Sequence, residues 1–310
     1  MNVLLIAEQA AGVKMLRALT GLDHRVVAVM ASPMKPAVAG ATVWTVAESL
    51  GYPTWDARRV TDPRLAEAVR ANEVDIMLNV HSLRIIDAAV LGAARYGGYN
   101  LHPGPLPRYA GLNSINWALY RGERIHGVTI HRMEAVVDAG AIAYQECFPV
   151  EPGDTALTVS ARSVAIGVRL MLRLLQTAAT DPSLVPAKEQ DLTQREYFGC
   201  QVPCHGLLTW AQPAARAVDF VRACDYYPLP SPWGHPRASS AQGEIGIVKA
   251  SRAGVATDAP PGTVGDTFGT SVRIACDDEW MSVVKVQVDG HYADAADILH
   301  SGMLLGDGQT

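Results

Sequence analysis

The first hundred residues alternate short, nearly uninterrupted apolar runs with segments of helical period, and nothing else in the chain constrains its fold so strongly. "NVLLIAE", "HRVVAVMAS", "VDIMLNV" and "GGYNLHP" are short and mostly apolar, and they read as buried strands. Between them lie "GVKMLRALTGL" (closed by Gly21), "TVWTVAESLG", "PRLAEAVRAN" and "IIDAAVLGAA", whose apolar spacing predicts helices. Strands that are apolar on both sides and separated by helices imply a mostly parallel sheet with helices on both faces, Rossmann-like in outline. Such sheets take their ligands at the carboxyl ends of their strands. No G-x-G-x-x-G follows the first strand, where "LLIAEQAAG" stands, so a dinucleotide site is not expected.

Further on, "TALTVSARSVAIGVRLMLRLLQTA" predicts one long helix with Asp154 or Thr155 as its N-cap. "ATDPSLVPAKEQDLTQREYFGCQVPCHG" then loses periodicity and gains proline, the pattern of a connection. One more helix, "PAARAVDFVRAC", precedes short strands, among them "EIGIVKAS" and a hairpin about Asp277-Asp278. The expected division is an α/β domain over 1–188, a linker over 189–205, and a small β-rich, barrel-like (OB-like) domain over 206–310.

Composition narrows the partners. With 26 Lys+Arg against 31 Asp+Glu, the net charge of -5 offers no general attraction to phosphate backbones, so nucleic acid is not the expected partner. The five cysteines are odd in number and scattered, unlike a secreted disulfide framework. The start has no basic n-region, and no window holds the roughly 18 apolar residues of a membrane span. A reducing cytoplasm is the expected location. A homo-oligomer is compatible with the sequence, which does not fix the state. Cys200, Cys204 and His205 in "CQVPCH" supply three zinc-type ligands without a fourth at zinc-like spacing, so free thiols in a linker are expected and no metal.

The stretch most suggestive of chemistry is "YNLHPGPLPRYAGLNSINWAL" from residue 99. In a strand, Asn100 and His102 project to one face and Leu101 to the other. A carboxamide can stabilise a developing oxyanion and an imidazole can manage a proton, a pairing suited to acyl transfer. Asp138, in "EAVVDAGAI" between the predicted strands "HGVTIHRM" and "AIAYQECF", is the carboxylate available to orient the histidine. A tight structural turn is the competing reading, and the brace of Pro103, Pro105 and Pro107 favours a preorganised site.

The ordered pattern from "NLHPGPLPRYAG" through "HGVTIHRM" to "DAGAI" resembles the signature of formyltransferases that use 10-formyltetrahydrofolate, a group that includes methionyl-tRNA and sugar N-formyltransferases. "VRACDYYPLPSPWGHPRASS" is similar to the corresponding segment of members associated with nonribosomal peptide and other natural-product assembly. The resemblance implies an α/β catalytic domain followed by a small β-rich one. It implies that Asn100, His102 and Asp138 are the catalytic trio and that 10-formyltetrahydrofolate is the formyl donor. The pterin lining would come from Val80, His81, Ser82, Leu83 and Arg84, closed by Val136 and Val137. Acceptor contacts are expected from Tyr109, Gly111, Asn113 and Ser114, with His131 favoured over His126 on the opposite strand face.

Two departures stand out. The family often has serine where Gly104 stands, and D-T-G is here D-A-G. "HRM" at His131–Met133 matches the sugar and natural-product branches, and the loop "ASPMKPAVAGATVW" carries Lys35 as its only basic residue where the tRNA branch tends to be basic. The expected acceptor is therefore a small-molecule amine, free or carrier-protein-bound. Methionyl-tRNA formylation, folate hydrolysis and non-catalytic folate binding are the alternatives.

Overall fold

A computed structural model of the chain describes residues 1–33, 40–241 and 243–307. Lys35 lies outside the described residues. The residues form two compact units: 1–111, 127–148 and 162–197 in the first, and 112–126, 149–161 and the residues from 198 onward in the second. In space, then, two short segments of the amino-terminal half cluster with the carboxy-terminal residues.

In the first unit, β1 (Asn2–Ala7), α1 (Gln9–Leu19), β2 (Arg25–Ala31), α2 (Val43–Ser49) and β3 (Thr54–Asp56) are followed by α3 (Leu65–Ala71), β4 (Ile76–Val80), α4 (Ala88–Leu91) and β5 (Gly98–His102). The short β6 (Ala110–Gly111), β7 (Ile125–Arg132), β8 (Ile142–Pro149) and most of α6 (Ala156–Thr180) complete the series, while α5 (Ser114–Tyr120), between β6 and β7 in the chain, belongs to the second unit. The sheet runs β3-β2-β1-β4-β5-β7-β8. Its pairs from β3 to β5 are parallel, and β7 joins β5 antiparallel. The fold class is the Rossmann-like, mostly parallel one.

Register separates the two faces of this sheet. Leu4, Met77 and, at the strand ends, Asn79 and Asn100 share one face, where Leu65, Val69 and Val90 from α3 and α4 pack. Leu101 faces the other way, onto α6. There a Cβ on Gly167 would lie 2.6 Å from Leu101 Cδ1 and 2.8 Å from its Cγ. The close approach of helix to strand fixes the residue between Asn100 and His102.

One local expectation needs correction. "IIDAAVLGAA" supplies only the four-residue α4, because Asp87 caps it at Ala89 N–H and Gly92 ends it. β3 was not anticipated, since three residues carry no readable period. The cap of the long helix is Thr155, whose Oγ1 accepts the Thr158 N–H at 3.4 Å while Asp154 accepts the Thr158 hydroxyl.

The second unit holds α7 (Ala214–Cys224) and an antiparallel sheet. β9 (Arg237–Ser240), β10 (Gly243–Ala256), β11 (Val264–Phe268), β12 (Ser271–Ala275) and β13 (Glu279–Val288) are its main strands. Asp278, in the predicted hairpin turn, accepts the Ala214 N–H and so caps α7. In "DYYPLPSPWG", Trp233 is buried edge-on against Trp117 at 5.0 Å, a packing role. No described helix is long and apolar enough to cross a membrane.

Gly167→Val should destabilise the protein by about 1–3 kcal/mol through overpacking against Leu101, more than the helix-propensity gain of ~0.5 kcal/mol. Urea unfolding checks this; an unchanged midpoint would show that α6 does not hold β5 in the way described.

Candidate active site

Asn100 and His102 leave β5 on one face, opposite His131 and Thr129 of β7 respectively. The loop after β7 returns so that Asp138, at φ +56°, meets them. Asp138 is 8% exposed, His102 3% and His131 2%, so these groups interact out of water. Asp138 Oδ1 lies 3.2 Å from His131 Nε2 and 3.4 Å from Asn100 Nδ2. Its Oδ2 accepts the Gly111 N–H at 2.8 Å and lies 3.4 Å from His102 Nδ1. One carboxylate is thereby shared among four partners.

The orientation of Asn100 comes from a residue that sequence reasoning missed. Asn79, its register partner on β4, donates through Nδ2 to Asn100 Oδ1 at 3.0 Å. With its oxygen taken, the amide turns Nδ2 toward the histidines and stands 3.1 Å from His131 Nε2. His131 Nδ1 faces the Arg132 carbonyl at 2.8 Å, and its Nε2 lies near both Asn100 Nδ2 and Asp138 Oδ1.

His102 lies between two acceptors. Nε2 donates to the Tyr109 carbonyl at 2.7 Å, and Nδ1 faces Asp138. Burial pushes its pKa down, Asp138 pushes it back up, and His131 adds to the fall, leaving it below the ordinary histidine value. The ring is thus neutral near pH 7 with its proton on Nε2, and a second proton would sit on Nδ1, facing Asp138. For Asp138, burial works against the charge, but His102, His131 and the Gly111 N–H outweigh it and hold the carboxyl well below the usual carboxylate range. Its contribution to folding is therefore present at neutral pH and is lost only as pH falls through that depressed value.

Gly104 has a steric reason. A Cβ there would stand 2.7 Å from His102 Nε2 and 3.0 Å from the Tyr109 oxygen, in the path of their hydrogen bond. Left-handed backbone also gathers around the site, at Gln9, His81, Tyr109 and Asp138. Non-glycine residues seldom adopt it, and such strain collects at functional sites.

Other residues singled out in the sequence fall as follows. Val80 is fully buried and its carbonyl accepts the Glu8 N–H. Beyond it, His81 Nε2 and Ser82 Oγ are buried without a hydrogen-bond partner among the described residues, and so is Asn79 Oδ1. Burial, with a smaller push from His102, holds His81 down at about 4. Leu83 is 75% exposed, Arg84 is exposed, and Ile85, Val136 and Val137 also present apolar surface. Tyr109 is buried and takes part through its carbonyl; Gly111 takes part through its N–H. Asn113 and Ser114 belong to the second unit, where Asn113 is left-handed and Ser114 is buried. Among the described residues no group of three or more His, Cys, Asp or Glu is arranged to hold a metal ion.

The segment read as a linker also supports the site. Gln190 Nε2 donates to the carbonyls of Asp138 and Gly140, and Arg195 donates to that of Val137. These bonds clamp the loop that carries the carboxylate.

Residues 1–175 match the family described as Formyl transferase, and residues 202–301 match its C-terminal domain, so both halves define a class of one-carbon transferases. The chain belongs to the formyl transferase family and is an enzyme of that kind. Methionyl-tRNA formyltransferase from Anaeromyxobacter sp. (strain K) is 30% identical over 318 residues, covering 98% of this chain and 97% of that one. In fold, the chain is similar to an N-formyltransferase from Helicobacter canadensis in complex with folinic acid and dTDP-3-aminofucose. That match has a TM-score of 0.68 at 17% identity, over 91% of this chain and 98% of that one. HypX from Aquifex aeolicus in complex with tetrahydrofolic acid gives a TM-score of 0.68 at 18% identity, over 96% of this chain and 47% of that one.

Two outcomes are expected from this geometry. In Asp138→Asn the charge that raises the His102 pKa is lost, so the acid limb of the pH–rate profile should move to lower pH while the plateau falls on the order of 100-fold. An acid limb that stays in place would contradict the coupling. Gly104→Ser should displace the His102 ring and lower kcat by roughly tenfold or more, with the folded state retained by circular dichroism; wild-type kcat would contradict the steric argument.

Proposed function

We propose that the enzyme moves the formyl group of 10-formyltetrahydrofolate to the amine or hydroxylamine nitrogen of a small natural-product precursor, an amino acid or a carrier-bound aminoacyl group. The observation that carries this reading is the buried Asp138 carboxylate joining His102, His131, Asn100 and the Gly111 N–H. The amine nitrogen attacks the formyl carbon, and Asn100 Nδ2 donates to the oxygen that gains charge. The proton lost by the amine passes to His102 at Nδ1, the ring nitrogen beside Asp138, with that carboxylate and the Tyr109 carbonyl stabilising the imidazolium. The bond from carbon to folate N10 then breaks, and the proton passes to N10. No covalent enzyme intermediate is required.

The rim fits the donor. Asn79 Oδ1, His81 Nε2 and Ser82 Oγ are buried polar atoms in want of partners, which a pterin's donors and acceptors supply. Leu83, Ile85, Val136 and Val137 offer apolar surface of the kind a flat ring covers. We assign Val80 to Arg84, with Val136 and Val137, to the donor. Tyr109, Gly111 and His131 we assign to the acceptor side, Tyr109 and Gly111 through their backbone. We take residues 1–188 as the catalytic domain, 189–205 as the connection and 206–310 as the second domain. All five cysteines are free, in keeping with a reducing cytoplasm.

One observation favours a second reading: the methionyl-tRNA formyltransferases are similar over the whole chain. The test incubates the protein with 10-formyltetrahydrofolate and a panel of amino acids, hydroxylamines, amino sugars and charged initiator tRNA, and follows tetrahydrofolate release. Turnover with a small amine, reduced on the order of 100-fold in Asn100→Ala, is expected. Turnover with charged tRNA alone, falling steeply with salt, would replace the acceptor assignment. Formate release without an acceptor, or folate binding without turnover, would overturn formyl transfer to an amine.

A further inference from the structure

Behind the catalytic groups, on the opposite face of the large sheet, lies a cavity of about 200 Å³, the room of roughly six or seven waters. It belongs entirely to the first unit. Tyr99 and Arg132, direct register partners on β5 and β7, form one side, with Arg95 and Tyr96 beside them. Ile76, Ala178 and the turn at Pro182 complete the wall, and no lining residue is acidic. Because side chains alternate, Tyr99 and Arg132 point away from the face that carries Asn100 and His131, their immediate neighbours.

Three features make this more than two surface arginines. First, neither Arg95 nor Arg132 has an ion pair or side-chain hydrogen bond among the described residues, in a chain of net charge -5. The neighbouring carboxylates are engaged elsewhere: Asp75 accepts the Asn2 N–H, and Asp181 accepts from Ser183. Second, both guanidiniums, on exposed side chains at the mouth of the cavity, rest against a neighbouring surface. Arg95 stacks over the Tyr96 ring at 5.2 Å, and Arg132 lies against Gly97, where a Cβ would be 3.1 Å from Nη2. Gly97 is at φ +81°, so the residue that makes room for Arg132 is also one that only glycine adopts without strain. Third, Tyr99 lines the cavity while 92% of its surface is buried (8% exposed), and its hydroxyl has no partner among the described residues. Burial keeps that phenol protonated, a neutral donor at physiological pH.

We propose that this cavity binds a phosphate group, with Arg95 and Arg132 pairing its oxygens and Tyr99 donating a third hydrogen bond. Guanidinium forks with a phenol donor and no carboxylate are a donor set suited to a compact tetrahedral dianion. The phosphate is either free or the terminal group of a small phosphorylated metabolite. The site is independent of the catalytic reading above.

The test titrates the full-length protein with sodium phosphate against sodium chloride at matched ionic strength, using calorimetry and thermal unfolding. Ribose 5-phosphate and ADP serve as further arms, and whichever binds most tightly names the source. Saturable phosphate binding is expected, weakened about tenfold or more in Arg132→Gln and Arg95→Gln and by less in Tyr99→Phe. Arg132→Lys should recover part of the loss, since it restores the charge without the fork. A response to phosphate no larger than that to chloride would overturn the proposal. So would equal phosphate affinity in Arg95→Gln, Arg132→Gln and the wild type, because the anion would then be bound elsewhere. Circular dichroism and urea midpoints of the variants separate lost binding from lost folding.

Discussion

Everything at the strand ends is arranged around one buried carboxylate. Asp138 stays ionised in a place where burial penalises its charge only because His102, His131, Asn100 and the Gly111 N–H all turn toward it. That requirement explains otherwise unrelated details: the left-handed backbone at Asp138, the clamp from Gln190 beneath its loop, and the braced segment that presents Gly111. A charge of this kind sets the protonation of its neighbours as well as its own. His102 is pulled down by its buried position and up by the carboxylate, and the balance between the two determines when the ring accepts a proton.

The sheet supplies rigidity from behind. Leu101 is seated on α6 at Gly167, so the pair on either side of it cannot rotate away from the site. Asn79 performs a similar service within the layer by fixing which end of the Asn100 amide points outward. Both act on the geometry of the trio without being placed to touch a substrate. The family match accounts for the class of chemistry, while these contacts account for how this chain holds Asn100, His102 and Asp138 in place.

Much of this was legible before any coordinates. The strand and helix alternation led directly to the parallel sheet, and the i, i+2 spacing placed Asn100 and His102 on one face. What escaped reading has common physical causes. Asn79 sits in "VDIMLNV", where a single polar residue in an apolar strand looks like tolerance. Tyr109 and Gly111 contribute main-chain atoms, to which sequence is nearly blind. Gln190 acts across 52 residues of chain from a stretch whose lost periodicity suggested only a linker. α4 is short because its cap and its terminating glycine lie inside the periodic window that predicted it.

Gly104 leaves its own mark on how the three residues depend on one another. The hydrogen bond from His102 to Tyr109 occupies the volume that a side chain at 104 would need. A side chain at 104 therefore cannot be added to this chain without moving the imidazole ring or the Tyr109 carbonyl, so the residues at 102, 104 and 109 are sterically one unit.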